Sequence, residues 1–153
     1  MNWRLIWTLS IVVGLASGVV SLVGIQSAVL AWALLLGVGF ACGIILVLKT
    51  PGRHFGHGFW TGFFSQVMET VLTAVFAGTF VANNPEFAQL LSQFPVPVNA
   101  RAMLLVIAPF AGLFNGILFG LFTWIVSKIL GPDKSAPAPV TPPEPPPPPP
   151  PLA

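Results

Sequence analysis

The chain has 153 residues, of which 55% are hydrophobic and 7% charged, and its formal net charge is +2. A soluble domain carries about 25% charged residues, so this supply cannot give every helix a polar outer face, and the surroundings that fit are those of a lipid bilayer. Nucleic acid is excluded as a partner, because the Lys and Arg residues lie singly between apolar runs instead of clustering for phosphate binding.

Crossing a hydrocarbon core of about 30 Å takes about 20 helical residues. Four apolar stretches qualify: residues 5–23, 28–48, 59–81 and 103–129. No water inside lipid satisfies the backbone, and the stretches are too long and too continuously apolar for barrel strands, so each is expected to be a helix. The first follows Arg4 and could pass for a secretory signal. It lacks a small-x-small cleavage site and runs through Gly24-Ile25-Gln26-Ser27 directly into the second, so it reads as retained. Gly14 and Gly18 in the first stretch, and Gly39 and Gly43 in the second, have the fourfold spacing that lets membrane helices approach closely. Gly37-x-Gly39 resembles the start of a dinucleotide fingerprint, but Cys42 stands where the third glycine belongs, and the setting is a span. Cys42 is the single cysteine, unable to form an intrachain disulfide, and reads as a small packing residue.

Between the second and third stretches lies a glycine-rich loop, 49–58, with His54 and His57. Two imidazoles without a third ligand make no zinc site, so the expectation is a solvated loop. Glu69 falls near the middle of the third stretch, where an ionised carboxylate costs about 2.5–3.5 kcal/mol on insertion scales. Gln66, Thr70, Thr73 and Ala77 share its broad helical face, and Asn115 in the last stretch is the expected partner at comparable depth. Glu69 is then either a neutral interhelical hydrogen-bonding group or a proton or cation site in a transport path. The absence of other charges well inside any span weighs against a long relay.

The segment 82–101 is expected to carry a short amphipathic helix on the extracytoplasmic side. Asn84 is its candidate cap and Pro85 its first residue; Phe87, Leu90, Leu91 and Phe94 fall on one face, Gln89, Ser92 and Gln93 on the other, and Pro95 ends it. It could rest on the membrane surface or form a lid. The last stretch carries the three-member series Gly112, Gly116 and Gly120, expected to pack within the chain, and Pro109, expected to kink the helix. From residue 131 the chain becomes proline-rich, with an unbroken run from Pro145 to Pro151, and is expected to be polyproline II or disordered.

An even number of spans puts both termini on one side with the loop 49–58. That side holds Arg4, Lys49, Arg53, Lys128 and Lys134 against Arg101 on the other, so the positive-inside rule places it in the cytoplasm. Trp3, Trp7, Trp60 and Trp124 fall near the same face, where their rings suit the headgroup layer. The expected architecture is an all-α integral membrane protein: a four-transmembrane-helix bundle over 1–130, a short extracytoplasmic amphipathic helix, and a disordered cytoplasmic tail over 131–153. No phosphate-binding loop or nucleophile elbow occurs, so no enzymatic chemistry and no cofactor are expected.

Phe55, Gly56, Phe59, Gly62 and Phe63 form a Phe-Gly-x-x-Phe-x-x-Gly-Phe pattern that opens the third stretch, and Asn84-Pro85-Glu86 forms a turn after it. In these features, over roughly residues 1–130, the chain resembles an uncharacterised bacterial family of four-span membrane proteins, domain of unknown function 4199. His57 stands where that pattern often has an acidic residue, and the polyproline tail is an addition to it. The resemblance implies architecture in a bacterial cytoplasmic membrane and no activity. The expected function is that of a structural or accessory membrane component. The alternatives are a small proton- or cation-coupled transporter or channel subunit using Glu69, and an anchor recruiting a partner through the tail. Candidate partners besides the bilayer are a homo-oligomer or larger membrane complex, and a cytosolic protein docking on Pro145–Pro151.

Overall fold

The computed structural model describes residues 1–24, 28–96 and 98–130; the proline-rich tail expected at 131–153 lies outside them. Among the described residues there are six helices and no strand: α1 (Trp3–Val23), α2 (Ala28–Lys49), α3 (His54–Val75), α4 (Ala77–Asn83), α5 (Pro85–Ser92) and α6 (Ala100–Ile129). α1, α2 and α6 are long and apolar enough to cross a membrane. Their outward surfaces carry exposed Val, Leu, Ile and Phe, a pattern that suits hydrocarbon surroundings.

The third stretch differs from its expectation of one helix over 59–81. Its helix begins earlier, at His54, and breaks at Phe76, and α4 leaves α3 at 93°. The cause is partly local: the Thr73 hydroxyl bonds back to the carbonyls of Glu69 and Thr70, at 3.1 and 2.9 Å, which competes with the helix's own ladder. It is also tertiary. Arg101, in the first turn of α6, donates from Nε to the carbonyl of Ala74 at 3.0 Å and from a terminal nitrogen to that of Val75 at 3.3 Å. These carbonyls lie at the C-terminal end of α3, where a helix runs out of its own donors.

α3 and α6 run antiparallel and make the most extensive helix contact of the molecule. The glycines set their closeness. A Cβ on Gly120 would meet the Phe55 ring, one on Gly116 the Phe59 ring and backbone, and one on Gly112 the Phe63 ring and Val67. The series is reciprocal, since Gly58 and Gly62 of α3 lie against Phe119 of α6. Each phenylalanine fills the hollow left by a missing side chain, which is how membrane helices gain dispersion contacts without a hydrophobic driving force. α6 continues unbroken through Pro109, which is exposed.

α1 runs parallel to α3, with Gly14 against Ser65 and Met68 and Gly18 against Leu72. The buried Ser10 hydroxyl donates to the Thr61 carbonyl at 3.1 Å. α2 lies along α6 instead, with Gly39 against the Phe122 ring, Gly43 against Val126 and Thr123, and Phe40 stacked on Phe122 at 5.0 Å. Cys42 is buried on this helix and Gly37 faces open space. The turn from α2 to α3 is sharp, with Gly52 and Arg53 both at positive φ, 97° and 53°.

The 49–58 segment is therefore shorter as a loop than expected, and His57 is not solvated. It is 3% exposed in the first turns of α3, its Nε2 accepts from the Asn2 backbone N–H at 3.0 Å, and its Nδ1 lies 3.0 Å from the Arg53 carbonyl. One partner donates and the other accepts, which fits the neutral ring with its proton on Nδ1. Among the described residues no three His, Cys, Asp or Glu side chains gather into a metal-binding group. Trp3 and Trp60 meet at this end, 6.1 Å between ring centroids, and Lys128 sits 5.9 Å over Trp124.

At the opposite end α5 occupies Pro85–Ser92, close to the expected amphipathic helix, with Phe87 packed on Phe80 at 5.1 Å. Asn84 precedes it but does not cap it. Its side chain turns the other way, donating from Nδ2 to the carbonyls of Phe80, 2.7 Å, and Ser21, 3.0 Å, and so ties the ends of α4 and α1 together. At this end of the bundle a side-chain cap forms at Asn99 on α6, accepting from the N–H groups of Arg101 and Ala102, as Asn2 caps α1 at the other.

Candidate functional site

The sequence-adjacent helices α1 and α2 barely meet, because α1 leans on α3 and α2 on α6. Between them is a cavity of about 320 Å³. Its walls are apolar: Val13 and Val20 from α1, and Leu34, Leu35 and Val38 from α2. Its floor is polar, formed by Ser17 and Ser21 of α1, Ser65 and Glu69 of α3, and Asn115 of α6. Among the described residues lining this cleft, Glu69 alone is ionisable. Leu34 is 42% exposed, so the mouth between α1 and α2 opens sideways, onto the apolar surface of the bundle.

Glu69 is half-buried, and its Oε1 accepts a hydrogen bond from the Ser21 hydroxyl at 2.8 Å. The expected partner, Asn115, is engaged elsewhere: its Nδ2 donates to the Gly62 carbonyl at 3.1 Å. The reason is axial register. The interlock that sets Phe63 beside Gly112 and Gly62 beside Asn115 leaves Glu69 about 10 Å further along α3 at 1.5 Å per residue, beyond the reach of one amide. Glu69 also lies off the middle of α3. With α3 ending at Val75, it lies about 9 Å from the bend, toward the end of the bundle that holds Arg101.

The other polar residues expected beside Glu69 divide into two kinds. Thr70 and Thr73 are buried and bond to carbonyls of their own helix, Thr70 to that of Gln66 at 2.8 Å, so they serve the backbone and not the cleft. Gln66 is half-buried, and its side chain is a second hydrogen-bonding neighbour of the Glu69 carboxyl. Ala77 is buried but belongs to α4, past the bend.

Three floor residues, Ser17, Ser21 and Ser65, were not legible as site residues, since serine is common in membrane helices and usually bonds back one turn, as Ser65 does to the Thr61 carbonyl at 2.6 Å. Ser21 lies in the last turn of α1, and only the parallel packing of α1 on α3 brings it to Glu69. Chemically the cleft offers one carboxyl, hydroxyl groups and branched aliphatic walls. That set can bind a proton or a cation with apolar substituents. Neither a protein-family model nor a curated protein nor a solved structure matches the chain.

Proposed function

We propose that this is a four-span protein of a bacterial cytoplasmic membrane, both termini cytoplasmic, that carries a proton or a cation through Glu69 and performs no enzymatic chemistry. α3 makes the fourth crossing in this reading: it is 22 residues long, about 33 Å, and runs beside α1 and α6. Its polar residues are tolerated because they face neighbouring helices. α4 and α5 then lie at the outer surface. The orientation rests on Arg4, Lys49, Arg53 and Lys128 sharing one end of the bundle, with Arg101 at the other.

The observation that carries the reading is the placing of a lone carboxyl at the floor of a cleft that opens to the lipid. A carboxyl kept only to join helices would gain most from full enclosure, whereas this one is reachable. The test is reconstitution in vesicles with an internal pH indicator. Expected is a proton flux with wild type that Glu69→Gln abolishes while the variant keeps its helix content and its size-exclusion profile; equal flux in both would remove the reading.

A second reading, an accessory scaffold, is favoured by the long reciprocal interlock of α3 with α6, which suits a rigid element around which other proteins assemble. It predicts no flux and a membrane complex recovered on native purification. Recruitment through Pro145–Pro151 predicts a cytosolic protein lost from that complex when the run is deleted.

A further inference from the structure

We infer that the occupant of the α1–α2 cleft is a small amphipathic monocation, an alkylammonium with one apolar chain, which enters from the bilayer and exchanges with a proton on Glu69. This rests on Glu69 being the working group of the proposed function, and adds the class of molecule it takes.

Charge selects the sign of the ligand. Among the described residues the lining holds a carboxyl and no Lys, Arg or His, so an anion or a second carboxylate would meet like charge in a medium of low dielectric. The hydroxyl groups of Ser17 and Ser21 and the amide of Asn115 add acceptor oxygens along the same floor. The walls select an apolar body: Val13, Val20, Leu34, Leu35 and Val38 offer no partner to a hydrated metal ion, which would have to shed its water against aliphatic side chains. Size selects against a whole two-chain lipid, because about 320 Å³ is at the lower end of the roughly 300–1,000 Å³ range of small-molecule pockets. The route follows from the packing. The mouth lies between α1 and α2, so a molecule dissolved in the bilayer reaches Glu69 without passing through the tightly interlocked α3–α6 interface.

The exchange balances simply. A cation entering a neutral site displaces one proton from the Glu69 carboxyl to water, leaving an ammonium–carboxylate pair, and the proton's return releases the cation. Among the described residues no other titrating group lines the cleft: α1 presents Ser17 and Ser21, α2 only aliphatic residues, α3 Ser65 beside Glu69, and α6 Asn115 and Phe119. Affinity for the cation should fall as pH is lowered through the range in which Glu69 takes up its proton, approaching about tenfold per pH unit for a single competing proton.

The experiment uses the full chain in lipid nanodiscs and octyltrimethylammonium as probe, with octanol as the neutral probe of equal chain length. Expected are saturable binding of the cation to wild type, a pH dependence of the stated sign, and a loss of about tenfold or more in Glu69→Gln, where 1.4 kcal/mol corresponds to tenfold. Ala16→Trp, which adds bulk to the cleft wall from α1 and leaves the carboxyl in place, should abolish binding by exclusion, with folding checked by helix content. Equal uptake of cation and octanol, or equal uptake by wild type and Glu69→Gln, would mean the cleft holds an acyl chain or nothing specific, and would overturn the inference. Phosphatidylethanolamine carries a primary ammonium and phosphatidylcholine the trimethylammonium of the probe, so displacement of the probe in bilayers containing either lipid would overturn the free-amine assignment in favour of a lipid headgroup. Glu69-dependent proton flux with no probe binding would sink the ligand class alone. Probe binding without flux would sink the carrier reading and leave the binding site standing.

Discussion

The Ser21 hydroxyl donates to Glu69 Oε1 at 2.8 Å, joining the last turn of α1 to α3 across the floor of the cleft. The bond is made to a carboxyl that retains its acceptor oxygen whether or not it carries a proton, so it does not by itself commit Glu69 to one state. Ser21→Ala should cost about 0.5–1.5 kcal/mol, the usual net worth of such a bond. Glu69→Gln, which keeps an acceptor at the same place, should cost less. Thermal unfolding of both variants in one detergent checks the order; a larger loss in the Gln variant would mean that the carboxyl, and not the hydroxyl contact, holds α1.

Gly62 should be intolerant of a methyl group. A Cβ there would lie 2.6 Å from the Asn115 carbonyl and 2.7 Å from the Phe119 Cβ, neither of which is a flexible chain end. Gly62→Ala is expected to destabilise by about 1–3 kcal/mol through overpacking. Gly37→Ala is the matched control, since nothing lies within 4 Å of that position, and should gain up to about 1 kcal/mol from helix propensity. Unfolding temperatures moving in opposite directions are the expected result.

Asn84 separates two structural roles. As a helix cap its carboxylate analogue would serve equally well. As the donor to the Ser21 and Phe80 carbonyls it would not, because an ionised aspartate has no N–H to give. Asn84→Asp should therefore destabilise by about 1–3 kcal/mol, and hydrogen exchange should quicken in the amides of α4 and the last turn of α1. Unchanged exchange would restore the capping role.

Arg101 holds the carbonyls at the end of α3, so the bend at Phe76 should depend on it. Arg101→Ala is expected to cost about 1.5–3 kcal/mol, the range for bonds to a charged donor. Arg101→Lys should recover part of this, because an ammonium carries the charge without the planar fork. A spin-label pair across the bend reads the geometry directly; an unchanged distance in Arg101→Ala would assign the break to α3 alone.

His57→Ala removes the ring that takes the Asn2 N–H and lies against the Arg53 carbonyl. The start of α1 should loosen, at a cost of about 1–3 kcal/mol for the groups left without partners. The Trp3–Trp60 contact beside it supplies the readout: tryptophan emission should shift toward that of a more exposed ring. No shift would show that the aromatic contact, and not the histidine, seats the N-terminus.

The sequence made the helices legible because their signal is local. Apolar runs of fixed length give the bounds of α1, α2 and α6 within about three residues. The Pro85 start of α5 follows from proline's missing N–H. The fourfold glycine spacing marks a packing face in the same way, since it depends only on 3.6 residues per turn.

What only the tertiary structure decided is register and interruption. Whether Glu69 meets Asn115 or Ser21 depends on how far α3 slides along α6 before Phe55, Phe59 and Phe63 drop into the hollows at Gly120, Gly116 and Gly112, a choice no single helix contains. The bend after Val75 likewise draws on a guanidinium 26 residues further along the chain. The cleft exists because α1 and α2 each found a better partner than one another. Helix length and apolarity are set by covalent geometry and side-chain chemistry within one segment. The site is set by the fit between segments, and that fit is resolved only when the chain packs.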